Sequence, residues 1–172
     1  MGGISDVNVV QAGGCVATVA VVGGVVIEEA SIGKWILNRY NSFRYSNNVY
    51  RPSSGQQANY INQHAAFKEH IPHGDGLSIN LEGMASVDGT QHNKIHQVMD
   101  DFFENYQKPN GKKTGEKWKV EDYNKAVKKA LKAAGLSNKQ VVQVYLLVKL
   151  EQKKFNVPKT LDKVPRRATR RC

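Results

Sequence analysis

The stretch TQHNKIHQVMDDFFENYQ, residues 90–107, decides how this chain is read. Ile95, Val98, Met99, Phe102, Phe103 and Tyr106 recur at spacings of three and four, the pattern of a helix with one apolar face, and Thr90 can cap its first turn. His92 and His96 fall on the same face, because residues four apart project from successive turns. The stripe His92, Ile95, His96, Met99, Phe103 is continuous, so both imidazoles are expected to point inward, where an unsatisfied polar ring is costly. A histidine pair at this spacing is a bidentate platform for a divalent metal, since neutral imidazole suits zinc and related ions. The plainer reading is a hydrogen-bonded structural pair.

Upstream of that helix, residues 61–89 hold short apolar pieces punctuated by Pro72, Gly74, Gly76 and Gly83, which predicts short strands and loops. His64, in NYINQHAAF, is expected on one such strand, where a histidine near its ordinary pKa can take a proton from water. His70 and His73 lie in the turn-rich EHIPHGDG and are expected to be exposed. Residues 41–60 are polar and turn-rich and read as a loop, with a boundary near residue 48. Before it, Ile32, Trp35, Ile36 and Tyr40 predict an amphipathic helix over residues 27–40. Residues 7–27 are the one long apolar run; Asp6 replaces the basic flank of a secretory signal. A buried core element is the first reading of that run, and membrane contact the second, because its length approaches the roughly 20 apolar residues needed to span a bilayer.

Downstream, KPNGKKTGEK (residues 108–117) reads as a loop. Residues 120–134 predict a basic amphipathic helix closed by Gly135, and Ser137 caps a further helix to about Phe155 whose VVQVYLLVKL core is apolar on most sides. Pro158 stops it, and RRATRRC is expected to be a disordered tail. The net charge of +10 is unevenly spread: residues 1–107 carry 6 Lys or Arg against 10 Asp or Glu, and residues 108–172 carry 19 against 5. An excess of that size attracts polyanions, which points to nucleic acid, an anionic membrane or an acidic protein, while a solvated lysine face remains the bland alternative. Cys15 and Cys172 have no metal-like spacing and support neither a disulfide framework nor a cysteine-ligated zinc site.

Residues 59–106, with Gln63-His64, SINLEG at 78–83 and GTQHNKIH at 89–96, resemble nucleases of the HNH/endonuclease VII superfamily, most of all the C-terminal toxin domains of bacterial polymorphic toxins and the colicin-type DNases. The resemblance implies an α+β fold with a ββα-metal core and flanking helices, mostly helical overall. It divides the chain into an apolar segment with an amphipathic helix (1–48), the nuclease core (49–107) and a basic helical region (108–172). It implies His64 as general base and Asn80 as the asparagine that braces the loop, with Asn93 as the alternative. His92 and His96 become ligands of one divalent ion, magnesium or zinc before nickel or manganese. Many members carry a further ligand just before the base, where this chain has Gln63; His70, His73 and Asp75 are the other candidates for that place.

The activity so implied is metal-dependent hydrolysis of DNA phosphodiesters, with a sequence-nonspecific grip by the basic C-terminal region. A toxin of this kind is delivered by a secretion system, acts in the target-cell cytoplasm and is neutralised by an acidic immunity protein. Two other classes compete. One is a metal-independent ribonuclease toxin in which His64 and another histidine act as base and acid. The other is a non-catalytic protein binding nucleic acid or, through residues 7–27, a membrane.

Overall fold

The computed structural model describes residues 19–22, 25–28, 43–45, 55–107 and 112–165. The chain divides into two compact units, Met1–Asn41 and Ser42–Cys172. In the first, the apolar run forms an antiparallel pair, β1 (Val19–Val22) and β2 (Val25–Glu28), with Val22 opposite Val25. β-branched valines suit this extended backbone. The expected helix over residues 27–40 begins two residues inside β2, and its remainder lies outside the described residues, as does the tail RRATRRC.

The second unit opens with β3 (Gln56–Tyr60), followed by a one-turn helix α1 (His64–Phe67), then β4 (Ser78–Glu82) and the long helix α2 (Gln91–Gln107). β3 and β4 pair antiparallel, with Gln56 opposite Glu82 and Tyr60 opposite Ser78. The loop expected over residues 41–60 therefore ends in a strand: Tyr60 and the half-buried hairpin face outweigh the local polar composition. His64 is not on a strand but heads α1, where the chain turns back so that Ala66 and Phe67 enter the core.

A short strand β5 (Trp118–Lys119) leads directly into α3 (Val120–Ala133), which stops at Gly135 with a φ of 82°. Ser137 and Gln140 form a reciprocal capping box for α4 (Asn138–Lys154), and β6 (Thr160–Leu161) returns to pair with β5. The fold is α+β, with small antiparallel sheets and helices that carry more of the chain. Its core is aromatic and aliphatic: Phe67, Leu77, Trp118, Tyr123, Leu147 and Val148 are fully enclosed. Phe67 meets Trp118 and Tyr123 edge-on at 5.6 and 4.9 Å, which locks α1 against the start of α3. No helix among the described residues is long and apolar enough to cross a membrane.

Candidate metal pair and a separate histidine cluster

The first turn of α2 is bolted to the end of β4. Thr90 Oγ1 accepts from the Asn93 backbone at 3.2 Å, Gln91 Oε1 accepts from the Glu82 backbone at 3.2 Å, and Asn93 Nδ2 donates to the Ala85 carbonyl at 2.8 Å. Gly83 makes the corner, with a φ of 76° and no room for a Cβ, which would lie 2.3 Å from Thr90 Cγ2. The loop-bracing asparagine in this arrangement is Asn93. Asn80 pairs with Ala58 in the hairpin, and strand alternation turns it to the opposite face from Ile79, which lines a cleft with Ile95 and Met99 of α2. The Asn80 side chain forms no hydrogen bond among the described residues.

On the inward stripe so fixed, His92 is buried and His96 partly so, with rings 4.9 Å apart and Nε2 atoms 3.1 Å apart. Burial, then the neighbouring His96, pushes the His92 imidazole down to about 4, against an opposing effect of the Gly83 backbone. Burial likewise lowers His96, opposed by the Asp100 carboxylate. Both rings are therefore neutral at pH 7, the form that offers a lone pair.

Both Nδ1 atoms are buried without a hydrogen-bond partner. If one Nε2–H donates to the other, the donor ring keeps a bare buried Nδ1 acceptor, while the acceptor ring's Nδ1–H has the Gly83 backbone beside His92 or the Asp100 carboxylate by His96 to meet. The facing Nε2 lone pairs of His92 and His96 would hold a divalent ion, and both rings would then carry Nδ1–H donors, with the Gly83 backbone beside His92 and the Asp100 carboxylate by His96. Carbonyls and carboxylates are the groups that brace metal-bound imidazoles. Donor type and spacing fit a divalent ion; no group of three His, Cys, Asp or Glu side chains gathers in ligand geometry among the described residues.

His64 has other neighbours. Its ring stacks on Tyr60 at 5.3 Å and meets His73 edge-on at 4.9 Å. Tyr60 in turn stacks on Tyr45 at 4.1 Å and donates its hydroxyl to the His73 carbonyl at 2.8 Å. Gly76 admits the Tyr60 ring, since a Cβ there would come within 2.7 Å of it. Burial, His73 and Lys68, in that order, lower the His64 imidazole, so it is a neutral base at pH 7. Asp75 is ion-paired with Arg44, and Gln63 Oε1 is buried without a partner.

Strand register separates the two groups. His64 follows the Tyr60–Ser78 end of the hairpin, and His92 lies by Gly83 at the Gln56–Glu82 end, so four residue steps along the strand, roughly 13 Å, separate those ends. The structure thus brings His92 to His96 and His64 to His73, not all into one cleft.

A buried polar network, absent from the sequence reading, holds the histidine loop. Glu151 on α4 accepts from Asn62 Nδ2 at 2.7 Å and from the Leu77 backbone, clasping both ends of the loop that carries His64 and His73. Gln152 Nε2 donates to Asn62 Oδ1 at 2.8 Å and to Asn124 Oδ1 at 2.7 Å. The Gln63 backbone donates to the Tyr123 hydroxyl at 2.8 Å. One signal was available in the sequence: Glu151 continues the helical stripe Val144, Leu147, Val148, a carboxylate on an otherwise apolar face. No family model, no curated protein and no solved structure matches this chain.

Proposed function

We propose that the chain is a metal-dependent endonuclease of the HNH/endonuclease VII kind that cuts DNA phosphodiesters, and that it is a delivered antibacterial toxin. The observation that carries this reading is the His92–His96 pair. Its Nε2 separation of 3.1 Å is near the roughly 3.3 Å that two imidazoles span on a tetrahedral ion with metal–nitrogen distances of about 2.0–2.1 Å. Support comes also from the order of elements, an antiparallel hairpin followed by the helix bearing the pair, and from the Gly83 backbone and Asp100 behind the rings. A divalent ion bound there supplies positive charge for the scissile phosphate and lowers the pKa of bound water. The chain's part is to keep both imidazoles neutral, aligned and partly shielded from solvent.

His64 as the base for that same phosphate sits poorly with the hairpin register, and its contact with His73 favours a second reading. In a metal-independent ribonuclease, neutral His64 takes the 2′-hydroxyl proton and His73 is the acid that gives one to the leaving 5′-oxygen. Plasmid nicking and RNA cleavage, measured across magnesium, manganese, nickel and zinc and in EDTA, separate the two. The metal reading expects nicking that EDTA and His92→Ala abolish and His64→Ala largely spares. RNA cleavage that survives EDTA and is lost in His64→Ala and His73→Ala transfers the function to the second reading. Absence of cleavage of either polymer with every metal removes both and leaves a binding protein.

A further inference from the structure

The positive charge of the C-terminal region is not evenly available. On α3, Lys125 lies 3.3 Å from Asp122 and 3.6 Å from Glu121, and Lys163 lies 3.6 Å from Glu69, so these two cations are internally neutralised. Lys128 and Lys132, on the next turns of the same helix, and Lys149 on α4 form no ion pair among the described residues. Two of them flank Tyr145, the Lys128 ammonium 3.7 Å over the ring and Lys149 5.9 Å from its centre, and Lys132 acts on Lys128 from the next turn. Partial burial, then Lys149 and Lys132, hold Lys128 below the ordinary lysine value. The three cations repel one another at some cost to the folded chain.

We propose that the α3–α4 face around Tyr145 docks the sugar-phosphate backbone of nucleic acid, with Lys128, Lys132 and Lys149 each neutralising a phosphate. Lys128 and Lys132 are about 6 Å apart along the helix axis, so they meet successive charges of a polyanion instead of one point charge. The Tyr145 ring orders the Lys128 side chain by cation–π contact, which reduces the entropy lost when a phosphate arrives. A lipid surface fits this face less well, because insertion needs apolar side chains beside the cations and Tyr145 is already covered by Lys128. The proposal rests on the nucleic-acid part of the proposed function but not on cleavage or metal.

The test is equilibrium binding of a fluorescent 20-base-pair DNA to the full chain in EDTA, across a sodium chloride series. Replacing Lys128, Lys132 and Lys149 together by Gln is expected to reduce the slope of log K against log salt by between about 2 and 3, and to weaken binding about tenfold or more at 0.1 M salt. A charge-matched control, Lys139, Lys153 and Lys159 to Gln, is expected to keep a slope close to that of the intact chain. Equal losses in the two variants would mean that only net charge matters and would overturn the proposal. So would an intact chain that fails to bind DNA, or a triple variant that keeps DNA binding but loses binding to vesicles containing phosphatidylserine. Because the measurement needs no turnover, a failed nicking assay leaves its result unaffected.

Discussion

His92 and Asn93 are adjacent in the sequence, yet they serve different ends of the same turn. His92 faces inward beside His96, while Asn93 reaches back to the Ala85 carbonyl and fixes the loop that delivers Gly83 to the helix. Removing a buried hydrogen-bonding partner leaves the other group unsatisfied, so Asn93→Ala is expected to cost about 1–3 kcal/mol of stability. Asn80→Ala, at a side chain with no hydrogen bond among the described residues, is expected to stay within about 0.5 kcal/mol. Urea unfolding of the two variants checks this; a larger loss for Asn80→Ala would return the bracing role to the strand asparagine.

At the level of elements, α4 does more than cover the core. Through Glu151 it grips residues before and after α1, so the His64–His73 loop is held by a carboxylate that sits in the most enclosed part of the molecule. Burial raises the Glu151 carboxyl to about 7, outweighing the hydrogen bonds from Asn62 and Leu77 that favour its charged form. A carboxyl whose pKa is raised on folding binds more protons in the folded state between about pH 4.5 and 7, so its contribution to stability is present below that window and declines as pH rises through it. The intact chain is therefore expected to lose stability relative to Glu151→Gln by about 1.4 kcal/mol per pH unit across that window. Comparing the two by urea unfolding at several pH values cancels the opposite slope of the histidines whose values are lowered; a pH-independent difference would rule out the buried titration.

For the molecule as a whole, the uneven charge matters more than its total. The five histidines fall in residues 1–107, where acids outnumber bases, and most cations fall in residues 108–172, so a partner that covers the cations is expected to be strongly acidic. If the chain is a toxin, co-expression with the open reading frame beside its gene is expected to restore growth, and the complex is expected to form more slowly as salt rises. Continued toxicity despite expression of that neighbour would remove the immunity partner from the proposal.

Periodic and capping information is local, and it carried over into the fold. The helix bearing His92 and His96, the Thr90 and Ser137 caps, and the stop at Gly135 follow from which side chains fall on one face and which can bond a free backbone N–H, and the structure has each of them. β3 and the short β5–β6 pair were not legible, because a strand of two to five residues is stabilised by its partner across the sheet and not by its own composition. The grouping of the site is of the same non-local kind. By chain order His64, Asn80, His92 and His96 looked like one constellation, but pairing register sets which residues share an end of a hairpin and which face a strand residue takes. That register exists only when two distant segments have met, and it put His64 with His73, turned Asn80 away from α2, and kept His92 and His96 at the other end of the hairpin.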